Sequence, residues 1–198
     1  LYRAVALAAL RAGISWDDSA ALGELASRLV DEQAVQLETQ AGGGAAVRLR
    51  GEDVSLAIRE PSVSQGASKV SAVPAVREAL LDMQRAAGAQ GGVVLEGRDI
   101  GTVVFPSAQA KFFLTASVDV RAKRRLDELL ARGAPADFEE VRREVAERDL
   151  RDSTRPVAPL KQAPDAVGID SSVLSIDQVV ARIVARVREV EAELSALE

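Results

Sequence analysis

Three short apolar runs constrain this chain more than anything else in it. They are VVLEG at 93–97, KFFLTA at 111–116 and AVGID at 166–170. Each is continuous rather than alternating, as expected of a strand buried on both faces of a parallel sheet. Charged, helix-patterned stretches at 121–132 and 138–153, joined by GAPAD, lie between the second and third runs. After the third, Ser175-Ile-Asp-Gln178 reads as a capping box that opens a long helix to about residue 197. The order helix, strand, strand, helices, strand, helix predicts an α/β fold with a parallel sheet and helices on both faces.

The first half carries different signals. Residues 2–12 are Ala/Leu-rich and read as a helix stopping at Gly13. Ser15 is a candidate cap for a second helix over 16–30. Residues 34–39 and 46–50 alternate with period two around AGGGA, a β-hairpin pattern that looks like an insertion in the α/β order. The stretch 51–74, broken by Pro61 and Pro74, predicts short helices and loops. Residues 74–89 predict a helix with Val76, Leu80, Leu81 and Met83 as apolar positions. There are no internal repeats.

Composition then narrows the chemistry. The chain has 198 residues, 47% hydrophobic and 28% charged, enough for one sizeable globular domain with small inserted subdomains. With neither His nor Cys, it has no histidine base, no imidazole or thiolate metal site and no disulfide. A formal charge of −5 gives no basic field for nucleic acid, and 3% aromatic residues give no stacking ladder. No apolar run approaches the roughly 20 residues of a membrane span, and the first residues do not resemble a signal peptide.

Candidate site residues follow from position and spacing. Arg98 and Asp99, in GRDIG, would follow a strand at the rim where open α/β sheets bind ligands; a strand-end ion pair is the alternative. Arg148, Asp152 and Arg155 are spaced by four and three, so they share one helical face. Arginines suit phosphate and a carboxylate suits ribose hydroxyls, whereas a solvated ion-paired face is the commoner meaning. Arg3 could reach phosphate or lie on a surface. Arg59, Ser68 and Arg77, taken singly, read as structural or solvent-facing. Tyr2 and Trp16, the only Tyr and Trp, are assigned to packing.

Together these blocks resemble bacterial cytidylate kinase. LYRAVALAAL, GEDVSLAIR, SKVSAVPAVREALLDMQR, LEGRDIGTVVFP, ERDLRDSTRPVAPL and DSSVLSIDQVV occur in the family's order over nearly the whole chain. The resemblance implies a P-loop nucleoside monophosphate kinase fold. Its core would be 1–30, 76–121 and 157–198, with a nucleotide-monophosphate-binding insertion at 31–75 and a lid at 122–156. It implies phosphoryl transfer from ATP to CMP or dCMP with Mg2+, in a cytoplasmic monomer, without nucleic-acid or membrane partners. By the same resemblance, Arg3 and Arg98 would hold the CMP phosphate, and Ser68, Arg77 and Asp99 would read cytosine. Arg148 and Asp152 would contact ribose, Arg155 would close on the phosphates, and Arg124 and Arg132 would reach ATP from the lid. Arg98, Arg148 and Arg155 are the expected catalytic group.

One family feature is outside this sequence. No G-x-x-x-x-G-K-[ST] loop occurs in the 198 residues. Because the sequence starts at Leu1 within a helical pattern, a strand and phosphate-binding loop are expected upstream. Without them the chain would keep a CMP pocket but be nearly inactive with ATP. The alternatives are a non-catalytic nucleotide-binding module retaining the CMP pocket, or a kinase for another pyrimidine monophosphate.

Overall fold

The structure, a computed structural model, describes residues 1–39 and 45–196. The contacts divide the chain into two compact units, Leu1–Leu95 and Glu96–Glu198.

The first unit is mainly helical. Helix α1 (Tyr2–Arg11) buries every residue from Ala4 to Ala9, and its alanines let neighbouring helices approach closely. It stops at Ala12, and Gly13 follows with φ +68°. Helix α2 (Ser19–Asp31) starts later than expected. Its cap is Asp18, which accepts from the Ala21 amide at 3.0 Å, whereas Ser15 accepts from Asp17 in the preceding turn. The carboxylate wins because it sits directly before the first amides with no helical partner.

The expected hairpin is present. Strands β1 (Val35–Thr39) and β2 (Ala45–Leu49) pair antiparallel with Val35 opposite Leu49. The glycines between them lie outside the described residues. A two-residue turn joins β2 to β3 (Glu52–Asp53), with Arg50 at φ 53° and Gly51 at φ 84°, the primed-turn geometry that suits a twisted ribbon. A 3-10 turn (Ala57–Arg59) leads to α3 (Pro61–Val70) and then α4 (Pro74–Ala86). Both helices place proline in the first turn, where its missing amide costs nothing. Val5, Leu22, Leu29, Val63, Val70, Val76 and Leu80 form the fully buried centre.

The second unit contains the parallel pair. Strand β4 (Phe112–Thr115) runs beside β5 (Val167–Asp170), with Phe112 opposite Val167 and Thr115 opposite Asp170. Helices α5 (Val118–Ala131) and α6 (Phe138–Thr154) lie between them in sequence. Arg121 grips Asp149 with two bonds of 2.8 and 2.5 Å, and Arg142 pairs with Asp119 at 2.5 Å. Ser117, Asp137 and Ser175 cap α5, α6 and α7 (Ile176–Ser195), the last with the expected reciprocal box. Among the described residues no helix is long and apolar enough to cross a membrane.

One expectation is corrected. Residues 93–97 form no strand: Val94 is 98% exposed, and the run joins no ladder among the described residues. Apolar, β-branched composition makes a segment able to be a strand, but only hydrogen bonds to a neighbour make it one. Arg98 and Asp99 therefore do not follow a strand. They enter a π-helical turn (Ile100–Val104), where the Asp99 carbonyl accepts from the Val103 amide at 2.9 Å.

Candidate functional site

In the second unit, the turn after Asp99 and the end of α6 bring five of the expected residues into two ion-paired groups, Arg98 and Arg148 on Asp152 and Arg155 on Asp99. Asp152 lies near the end of α6 with its side chain only 3% exposed. Arg98 Nε donates to Asp152 Oδ2 at 3.0 Å, and Arg148, one turn before Asp152, stands 3.7 Å from the same oxygen. Arg98 and Arg148 keep 42% and 38% of their side chains exposed. One buried carboxylate thus orients two guanidiniums that still face solvent, a geometry that presents N–H donors to an anion.

The other pair is fully enclosed. Arg155 Nη2 lies 3.5 Å from Asp99 Oδ1, with side chains 3% and 5% exposed. Arg155 is the C-terminal cap of α6, and its Nε donates to the Ala158 carbonyl at 2.7 Å. Ala158 adopts φ 50°, an uncommon left-handed conformation for a residue with a Cβ, at the carbonyl that holds Arg155.

Gly97 has a different reason from the one its place beside charges suggests. A Cβ there would fall 2.6 Å from Ile100 Cγ1, so the glycine makes room for the turn that follows it. Glu96 is exposed. Arg124 is used structurally: it donates to Ser171 Oγ at 3.1 Å and to the Ser171 carbonyl at 2.7 Å, at the carboxyl end of β5. Nearby, Asp170 accepts from the Ser172 hydroxyl and amide, which hold its carboxyl below the usual range. Arg132 is exposed at the end of α5.

The first unit gathers a second set. Arg3, in the first turn of α1, donates through Nη1 to the Ile58 carbonyl at 2.9 Å and to Ser64 Oγ at 2.8 Å. Ser68 is buried on α3, and Arg77 is buried on α4. The Ser71 hydroxyl donates to the Ser68 carbonyl at 3.0 Å, and Arg77 donates to the Ser71 carbonyl at 3.1 Å. The Arg77 guanidinium carbon lies 5.5 Å from the centre of the Tyr2 ring, a cation–π contact. Tyr2 therefore does more than pack, and Ser64 and Ser71 are polar partners that sequence patterning does not single out. The available signal is spacing: Ser64 and Ser68 are four apart on α3. Arg59 is exposed at the end of the 3-10 turn.

Among the described residues, no group of three or more Asp, Glu, His or Cys could hold a metal ion. The two sets are donor-rich, suited to binding phosphate and polar base edges, and contain no histidine base.

Comparison with known proteins points the same way. The model of the cytidylate kinase family matches residues 1–189. The chain is 51% identical to the cytidylate kinase of Pelotomaculum thermopropionicum over 187 residues, 94% of this chain and 81% of that protein. It is 51% identical to the cytidylate kinase of Syntrophotalea carbinolica over 189 residues, 96% of this chain and 78% of that protein. For the cytidylate kinase of Shewanella loihica the identity is 47% over 189 residues, covering 96% and 80%. With a family match over residues 1–189 and relatives about half identical over nearly the whole chain, the chain belongs to the cytidylate kinase family.

Proposed function

We propose that the protein transfers the γ-phosphoryl group of ATP to CMP or dCMP, giving ADP and CDP or dCDP. A phosphate oxygen of the monophosphate attacks the γ-phosphorus, and the bond from that phosphorus to the ADP oxygen breaks. Such transfer needs in-line positioning and stabilisation of charge spread over phosphoryl oxygens, with little covalent help. A chain without His or Cys meets that requirement.

The observation that carries this reading is the Asp152-centred pair of arginines, within a chain whose residues 1–189 match the family. Arg98 and Arg3 are assigned to the CMP phosphate, Arg148 and Asp152 to ribose, and Arg155 to the phosphates. Asp99 accepts from the cytosine N4 amine, while Ser68 and Arg77 donate to N3 and O2, a match of polarity. Arg155 beside Asp99 keeps that carboxylate in place as an acceptor. Arg132 is assigned to ATP from the lid. Arg124 is a weaker assignment there, because both of its terminal nitrogens are engaged by Ser171.

Magnesium is assigned to the MgATP substrate, since it is bound largely through substrate phosphates and water. We further assign 31–75 to the monophosphate-binding insertion, 122–156 to the lid and the remainder to the core, in a monomer. The test is ADP formation by the full-length protein with MgATP and CMP, dCMP, UMP, AMP or GMP. CMP-dependent turnover well above that with AMP or GMP is expected. Absence of CMP-dependent turnover refutes the kinase, and equal use of UMP refutes the assignment of Asp99.

A further inference from the structure

The 14–18 connection between α1 and α2 holds Trp16, the chain's only tryptophan, where it touches two helices that carry substrate-binding assignments. Its Nε1 donates to the Ala6 carbonyl of α1 at 3.1 Å. Its ring covers Gly66 of α3: a Cβ at that glycine would lie 2.4 Å from Trp16 Cε2, 2.5 Å from Cζ2 and 2.8 Å from Cδ2. The adjacent Asp17 accepts from Lys69 Nζ at 2.9 Å, a second tie to α3. Gly66 and Ser68 are two residues apart, about 200° around a helix. Trp16 therefore presses on the side of α3 roughly opposite Ser68. Arg3 of α1 reaches Ser64 on that same helix. The Ser68 carbonyl is tied through Ser71 to Arg77.

We propose that Trp16 is a positioning residue for monophosphate recognition, a back-stop that sets the depth and rotation of α3 and so aligns Ser68 with Arg3 and Arg77. Trp16 does not itself contact substrate. Gly66 is the complementary half of this device. In a helix interior glycine is disfavoured against alanine. The closeness of the indole explains why a glycine stands there.

The inference rests on the proposed CMP kinase activity, and its test separates the two. Full-length wild type, Gly66→Ala, Trp16→Leu and the double variant are compared by steady-state kinetics and by calorimetric CMP binding. Gly66→Ala is expected to raise KM for CMP about ten-fold while KM for ATP stays within about two-fold, because displacements near 1 Å weaken precise contacts strongly. Trp16→Leu, which removes the back-stop, is expected to raise KM for CMP similarly. The double variant, in which the added methyl meets a smaller side chain, is expected to recover to within about three-fold of wild type. Thermal unfolding identifies any variant that fails to fold; if that is Gly66→Ala, the comparison of Trp16→Leu with the double variant decides the matter. Equal changes in the two KM values, an unchanged KM for CMP, or no recovery in the double variant overturns the positioning role. Wild type that binds CMP without turning it over refutes the kinase activity, and the CMP affinities of the variants still decide the role of Trp16.

Discussion

Asp99→Asn isolates the enclosed ion pair, because it removes a charge while keeping shape. The carboxylate lies 3.5 Å from Arg155, and both side chains are at least 95% buried. At that separation and an effective dielectric of about 20, the Coulomb attraction is about 5 kcal/mol before desolvation is counted. Removing one partner of a buried pair costs about 3–5 kcal/mol, since it strands the other charge in a dry site. Arg155 keeps its bond to the Ala158 carbonyl at 2.7 Å, so the low end of the range, about 3 kcal/mol, is expected. For a chain of this size each kcal/mol lowers Tm by about 2–4 °C, giving a fall of about 6–12 °C. Arg155→Met removes the other charge, and the double variant is expected to lose at least about 1 kcal/mol less than the sum of the singles. Thermal unfolding followed by circular dichroism measures all three variants, and kcat/KM for CMP against UMP measures base choice. Asp99→Asn is expected to narrow the preference for CMP, because an amide can also donate. A Tm change below about 2 °C together with additive double-variant behaviour refutes the buried pair. An unchanged CMP preference removes Asp99 from base reading.

Other perturbations test neighbouring parts. Gly97→Ala places a methyl against Ile100 Cγ1 at 2.6 Å and is expected to destabilise by about 1–3 kcal/mol while raising KM for CMP, measured by urea unfolding and kinetics. Ser175→Ala removes the oxygen that accepts from the Gln178 amide and is expected to cost about 1 kcal/mol by urea unfolding. Arg11 donates to Glu52 and holds its carboxyl below the usual range. A depressed folded pKa contributes stability that is present above the unfolded value and lost as pH falls through the folded one. Glu52→Gln is therefore expected to flatten the acid limb of a Tm-against-pH profile below the ordinary carboxylate range. Both side chains are substantially exposed, so the effect should shrink in high salt.

Local chemistry is the part of this protein that could be read without coordinates. The Ser175 capping box, the prolines that open α3 and α4, and the paired period-two runs of β1 and β2 depend on residues close in sequence, where steric and hydrogen-bonding preferences act directly. The shared face of Arg148 and Asp152 follows from helix periodicity, whereas Arg155 falls just past the last helical residue and meets Asp99 instead; the absence of His and Cys restricts the chemistry before any fold is known. Tertiary structure decided which of those groups meet. It set Arg98 against Asp152, 54 positions away, enclosed Asp99 with Arg155, and laid Arg77 over Tyr2. It gave Arg124 to Ser171, placed Trp16 over Gly66, and left 93–97 without a ladder. The physical reason is the same in each case. Propensity and period are properties of one segment, whereas an ion pair, a strand or a close approach exists only when a second, distant segment supplies the partner.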